Sequence, residues 1–211
     1  MHKINRILLL IFLLVLFISI NAISYVNAVS QDLSQNIFRL HVIANSDSEE
    51  DQKLKYIVRD DVLEYVNSIS KNIKNKSEMI TLLEQNLNNI KEVAENSIIE
   101  NGYNYNVNIE IGNFAFPTKT YGDISFPASY YDALRIKIGE SSGQNWWCVM
   151  FPPLCFVDVS SGIVPNESKK VLEDNLSSEE YELVSTNNEE VSFKFKLIEF
   201  FQNINMKLAG I

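Results

Sequence analysis

The stretch NIFRLHVIA, residues 36–44, runs directly into NSDSEED, residues 45–51, and together they decide the fold. Phe38, Leu40, Val42 and Ala44 alternate with Ile37, Arg39, His41 and Ile43, the period-two pattern of a β-strand. One face of that strand is wholly apolar, whereas the other sets Arg39 and His41 between Ile37 and Ile43. Ser48 followed by Asp51 has the spacing of a capping box, and Glu49, Glu50 and Asp51 suit the positive end of a helix dipole. Leu54, Ile57, Val58, Val62, Tyr65, Val66 and Ile69 then recur at helical spacing, which predicts a helix from about 49 to 70.

Moving towards the C-terminus, the spacing predicts a second helix, capped by Ser77 and stopped by Gly102, with the stripe Ile80, Leu83, Leu87, Ile90, Ala94 and Ile98. Tyr103, Tyr105, Val107, Ile109 and Ile111 alternate with Asn104, Asn106, Asn108 and Glu110, a strand with one wet face. Further strands are expected at 114–121, 131–138 and 146–151. Such an order predicts an α+β fold: a mixed or antiparallel sheet with two amphipathic helices packed on one face. The exported α+β domain spans residues 29–165. Residues 166–211 form an acidic segment, in which Leu172, Leu176 and Tyr181 suit a short helix, and then a C-terminal amphipathic element packed on the same domain.

Towards the N-terminus, ILLLIFLLVLFISI (7–20) is an uncharged apolar run preceded by Lys3 and Arg6 and followed by Val26-Asn27-Ala28. Residues 1–28 therefore read as a signal peptide or an uncleaved membrane anchor, and the basic start keeps that end cytoplasmic. Everything from about residue 30 is expected to be exported. Of 18 Lys and Arg, only Lys3 and Arg6 lie in this leader, which has no acid, so the body holds 16 basic against 27 acidic residues, a net of −11. So acidic a body is a poor binder of phosphate backbones, and nucleic acid is not an expected partner.

The segment QNWWCVMFPPLCFVD (144–158) holds both Trp, both Cys and two of the five Pro. Pro152-Pro153 cannot donate ladder hydrogen bonds, so the chain turns or runs along a sheet edge there, and a turn centred on residues 151 and 152 would set Cys148 opposite Cys155. A disulfide is the simplest reading for an exported pair. A catalytic thiol, two unpaired buried thiols and a metal pair are the alternatives, the last lacking further ligands because His41 is the one exported imidazole.

FRLHVIANSDSEEDQKLKYIVRDDVLEYV (38–66), FPASYYDALRIKIG (126–139) and GQNWWCVMFPPLCFVD (143–158) closely resemble the stage II sporulation protein R family of endospore-forming Firmicutes, a likeness that covers residues 1–160. Ser129 stands where that family more usually has Gly. The resemblance implies a signalling protein, made in the forespore and exported into the space between the two septal membranes. There it acts on a membrane-embedded, aspartic-type peptidase that processes the sigma-E precursor in the mother cell. It implies a trigger and not an enzyme, with no cofactor, metal or small-molecule substrate.

Two groups of side chains are candidate partner contacts. Arg39, His41, Asn45, Asp47 and Arg59 would suit a carboxylate or peptide terminus, or would instead form an internal network tying strand to helix; Arg135 is a further cationic candidate. Trp146, Trp147, Phe151, Pro152, Pro153 and Leu154 form an aromatic group in which alternation turns the two Trp to opposite faces. The alternative functions are an extracytoplasmic thiol hydrolase, with Cys148 or Cys155 as nucleophile, His41 as base and Asp47 or Asp158 as orienter, and a wall- or glycan-binding module. No HExxH or P-loop motif accompanies the former.

Overall fold

A computed structural model of the chain describes residues 2–155 and 164–185. Helix α1 (His2–Asn36) begins with the apolar leader. Its segment Ile4–Asn21 is long and apolar enough to cross a membrane, and none of it is buried within the molecule. The helix passes residue 28 without interruption and ends inside the folded body. There Leu33 and Ile37 are fully buried, and Lys76 Nζ donates to the Ser34 carbonyl at 2.5 Å.

Strand β1 (Phe38–Ile43) leads through a Ser48-capped turn into α2 (Glu49–Ile69); the Ser48 side chain accepts from the Asp51 backbone N–H, as the capping-box spacing predicts. What reads as one helix from Ser77 is two, α3 (Lys76–Gln85) and α4 (Leu87–Glu100). The cap of α3 is Asn75, whose side chain accepts from Glu78 N–H while Glu78 reaches back to Lys74 N–H, so the helix starts ahead of Ser77. At the break, Asn86 bonds its own side-chain amide to the Leu82 carbonyl, a local competitor to helix continuation.

The remaining strands are β2 (Val107–Phe116), β3 (Lys119–Tyr121), β4 (Ile124–Phe126), β5 (Ser129–Ile138) and β6 (Asn145–Phe151). Three of them join β1 in a mixed sheet in the order β2-β5-β1-β6, in which β1 runs parallel to β5 and antiparallel to β6. β2 starts at Val107 and not at Tyr103, because its partner β5 ends at Ile138, opposite Val107, and turns away at Gly139. The expected strand over 114–121 is divided at Pro117: its first part extends β2, and its second forms the separate β3–β4 hairpin. Ser129 is an ordinary strand residue opposite Phe116.

Helices α2 and α3 pack on β1, and α4 packs on α2 and β2. They cover the sheet face that presents Leu40, Val42, Leu134 and Ile136, all fully buried. Each such side chain contributes about 1.5–3 kcal/mol by leaving water. The β3–β4 hairpin lies against the opposite face, where the Tyr121 hydroxyl meets Arg39 and the Trp147 carbonyl. Helices α5 (Asn166–Asn175) and α6 (Ser178–Ser185) complete the described residues. Lys169 pairs with Asp123 in the hairpin turn, α6 touches β4, and Leu172 and Val184 enter the core. The expected C-terminal amphipathic element, and Asp158 of the hydrolase reading, lie outside the described residues.

Candidate functional site

Register, more than sequence order, assembles the site. Trp147 of β6, His41 of β1, Arg135 of β5 and Glu110 of β2 lie opposite one another across the sheet, in one row on the face away from the helices. The next rows add Arg39 towards the α1 end and Lys137 towards the far end. Lys119 of the hairpin places its ammonium 4.7 Å from the Trp147 ring. Lys137 and Arg135 both pair with Glu110 at 2.7 Å, and those bonds, led by Lys137, hold its carboxyl below the usual range. Gly112 leaves room for Phe114 to fold back, since a Cβ there would stand 2.9 Å from the Phe114 ring; the Arg135 guanidinium lies 3.7 Å from the centre of the same ring.

Arg39 is fully buried. Its guanidinium lies between the Phe116 and Tyr131 rings at 4.3 and 4.9 Å, and Nη2 donates to the Tyr121 hydroxyl at 2.8 Å. Nε and Nη1 have no hydrogen-bond partner among the described residues, and no described acid pairs with this Arg. His41, 8% exposed, stacks on Trp147 at 5.7 Å and donates from Nε2 to Asn145 Oδ1 at 2.7 Å, while its buried Nδ1 is unpartnered among the described residues. Burial foremost, and then the charges of Arg135, Lys137 and Arg39, lower the imidazole pKa below 6.5 against the opposing pull of Asn145.

The other members of the predicted group stand elsewhere. Arg59 is across the sheet, where it caps Trp146 at 4.3 Å, stacks on Tyr56 at 5.0 Å and pairs with Asp60 at 2.7 Å. It therefore does not join Arg39 and His41, because alternation along β1 turns those two away from α2. Asn45 and Asp47 knit two loops together: Asn45 Oδ1 accepts from Glu140 N–H at 2.9 Å, and Asp47 accepts from Gln144 N–H at 2.7 Å. Gly139, at φ +54°, is required there, since a Cβ would stand 2.2 Å from Asn45 Oδ1. Here the internal-network reading describes Asn45 and Asp47: both hold the 139–144 loop, and Asn45 Nδ2 also donates to Asp51 of α2 at 2.8 Å.

Cys148 and Cys155 form a disulfide, with Cα atoms 5.1 Å apart around a turn that contains a cis Phe151-Pro152 bond and a Leu154 N–H to Val149 carbonyl bond of 2.9 Å. Phe151, Pro152 and Leu154 are buried, and Pro153 is exposed. Trp146 and Trp147 point to opposite faces, each half-buried, the former edge-on to Tyr56 at 5.5 Å. His41 and Cys148 also lie on opposite faces, His41 in the row of Trp147 and Cys148 beside Leu40.

Residues 34–161, from the end of α1 through the disulfide turn, match the family described as stage II sporulation protein R. The stage II sporulation protein R of Bacillus subtilis (strain 168) is 35% identical over 179 residues, covering 79% of this chain and 80% of that protein. The chain belongs to the stage II sporulation protein R family. No solved structure matches it. Membership in the stage II sporulation protein R family supports a sporulation signalling role, and α1 fits a membrane-associated one. In this stage II sporulation protein R family member, sequence reading found Arg39, His41, Arg135 and Trp147 but missed Lys119, Lys137 and Glu110. One signal was legible: Arg135-Ile136-Lys137 places two cations on one strand face, and Glu110 stands alone among asparagines on an adjacent strand.

Proposed function

We propose that the protein is a forespore signal, exported into the space between the septal membranes, where it activates the membrane-embedded aspartic-type peptidase that processes the sigma-E precursor in the mother cell. The observation that carries this reading is family membership over residues 34–161, joined to a folded body that follows a membrane-length apolar helix with a basic start. The protein acts by binding and not by catalysis. That reading is supported by the disulfide, which occupies both sulfurs, and by the sheet that separates His41 from Cys148.

Co-production of the full chain with the peptidase and the sigma-E precursor in a non-sporulating host tests it. Shortening of the precursor on immunoblots is expected only when all three are present. An unprocessed precursor in their joint presence overturns the proposal.

A further inference from the structure

The body carries a net charge of −11, yet one sheet face reverses that sign. Arg39, Arg135, Lys137 and Lys119 gather there, and the one carboxylate that pairs with any of them among the described residues is Glu110, which serves Arg135 and Lys137. Burying a guanidinium without a counter-charge is costly, and three polar atoms here, Arg39 Nε and Nη1 and His41 Nδ1, are buried and unpartnered among the described residues. At the β6 edge of the sheet opens a cleft of about 180 Å³, lined by Lys119, Tyr121, Asn145, Trp147 and the Cys148–Cys155 disulfide. Tyr121 links it to Arg39, and Asn145 and Trp147 link it to His41.

We infer that this face is a docking site for an acidic peptide segment of a partner protein, its carboxylates held by Lys119 at the cleft and by Arg135 and Lys137 across the row. Trp147 and Arg135 stand on strands two apart, roughly 10 Å across the sheet, a span that acidic residues two or three positions apart on an extended peptide would bridge. Trp147 and Phe114 flank the cations and offer rings to the apolar side chains between those acids. Headgroups of the membrane that holds α1 are a poorer fit: α1 enters the sheet at Phe38, whereas His41, Arg135, Lys137 and Asn145 lie towards the opposite end of the strands. The inference rests on the activation reading, and it names the chemistry by which the partner is recognised.

The full chain in phosphatidylcholine nanodiscs, titrated with fluorescent hexaglutamate, tests it by anisotropy. Saturable binding is expected, weakened by salt, absent with hexaglutamine, and reduced about tenfold or more in Lys119→Gln and in Arg135→Gln, since each removes a charge-assisted bond. Both side chains are partly exposed, and unchanged circular dichroism of the variants certifies the fold. No binding, or binding that both variants retain, overturns the inference. So does equal competition by inorganic phosphate, which would assign a small-anion site. Hexaglutamate that fails to bind while the precursor is still processed breaks this inference alone; hexaglutamate that binds while the precursor stays whole breaks the activation reading alone.

Discussion

The two faces of one four-stranded sheet differ in what they are built for. The helix-covered face holds Leu40, Val42, Leu134 and Ile136, all fully buried, with α2, α3 and α4 over them. The hairpin-covered face holds Arg39, His41, Arg135 and Lys137 from the same two strands. On the first, these four side chains are apolar and lose nothing by leaving water, although Trp146 Nε1 on the same face is also buried without a partner among the described residues. On the second, a guanidinium and an imidazole are desolvated with polar atoms that have no partner among the described residues. A face organised for stability alone would not keep an unpaired Arg at full burial.

That contrast can be broken by substitution. The largest effect belongs to the apolar face: Leu40→Ala is expected to destabilise the protein by about 3 kcal/mol, through lost transfer energy and the cavity left behind, read as a lower urea midpoint. Next comes the edge. Cys148→Ala, Cys155→Ala and the double variant should each cost about 2.5 kcal/mol, because the bridge closes a loop of sequence separation 7 and either change removes it. Unequal losses in the two single variants would indicate a role for one sulfur beyond the bridge. Arg39→Met should act in the opposite sense. With similar volume and no buried charge, it is expected to leave stability level or raise it by about 1 kcal/mol while weakening hexaglutamate binding. A loss of more than about 2 kcal/mol would show that the stacking of Arg39 on Phe116 and Tyr131 is structural and would dissolve the contrast.

The smallest effect is the dependence on pH. The His41 pKa is lowered in the folded state, so the unfolded chain binds its proton more readily, and stability is lost as pH falls through 6.5 towards the folded value. Glu110, held below its usual range by Lys137 and Arg135, adds a separate loss at more acidic pH, as it is protonated. His41→Gln should remove the first step in a plot of urea midpoint against pH and leave the second. A first step that survives this change would place the titrating group elsewhere.

Much of the apolar face was legible because alternation and helical spacing are local. The strand over 36–44, the Ser48 cap and the stripe Leu54, Val58, Val62 and Val66 all stand where those periods put them. Ile57, on the same predicted stripe, is exposed, and Leu63, off it, is buried, because α4 packs over one side of α2. The break at Asn86 escaped notice, since apolar residues on both sides keep helical spacing across it. In the cationic row only single members were visible. Trp147, His41, Arg135 and Glu110 lie as far as 106 positions apart, from His41 to Trp147, and become neighbours only through register.

The sequence by itself determined the apolar leader, the acidic body, the strand-to-helix start, the α+β class and the Pro-Pro break between the two cysteines. Each follows from a period, a charge sum or a proline within a short window. Only the tertiary structure decided that β1 is interior and parallel to β5, that Arg59 parts from Arg39, and that four scattered cations converge on one face. Those outcomes depend on which strand becomes the neighbour of which, and pairing across long loops is settled by the whole core at once and not by any residue's local preference.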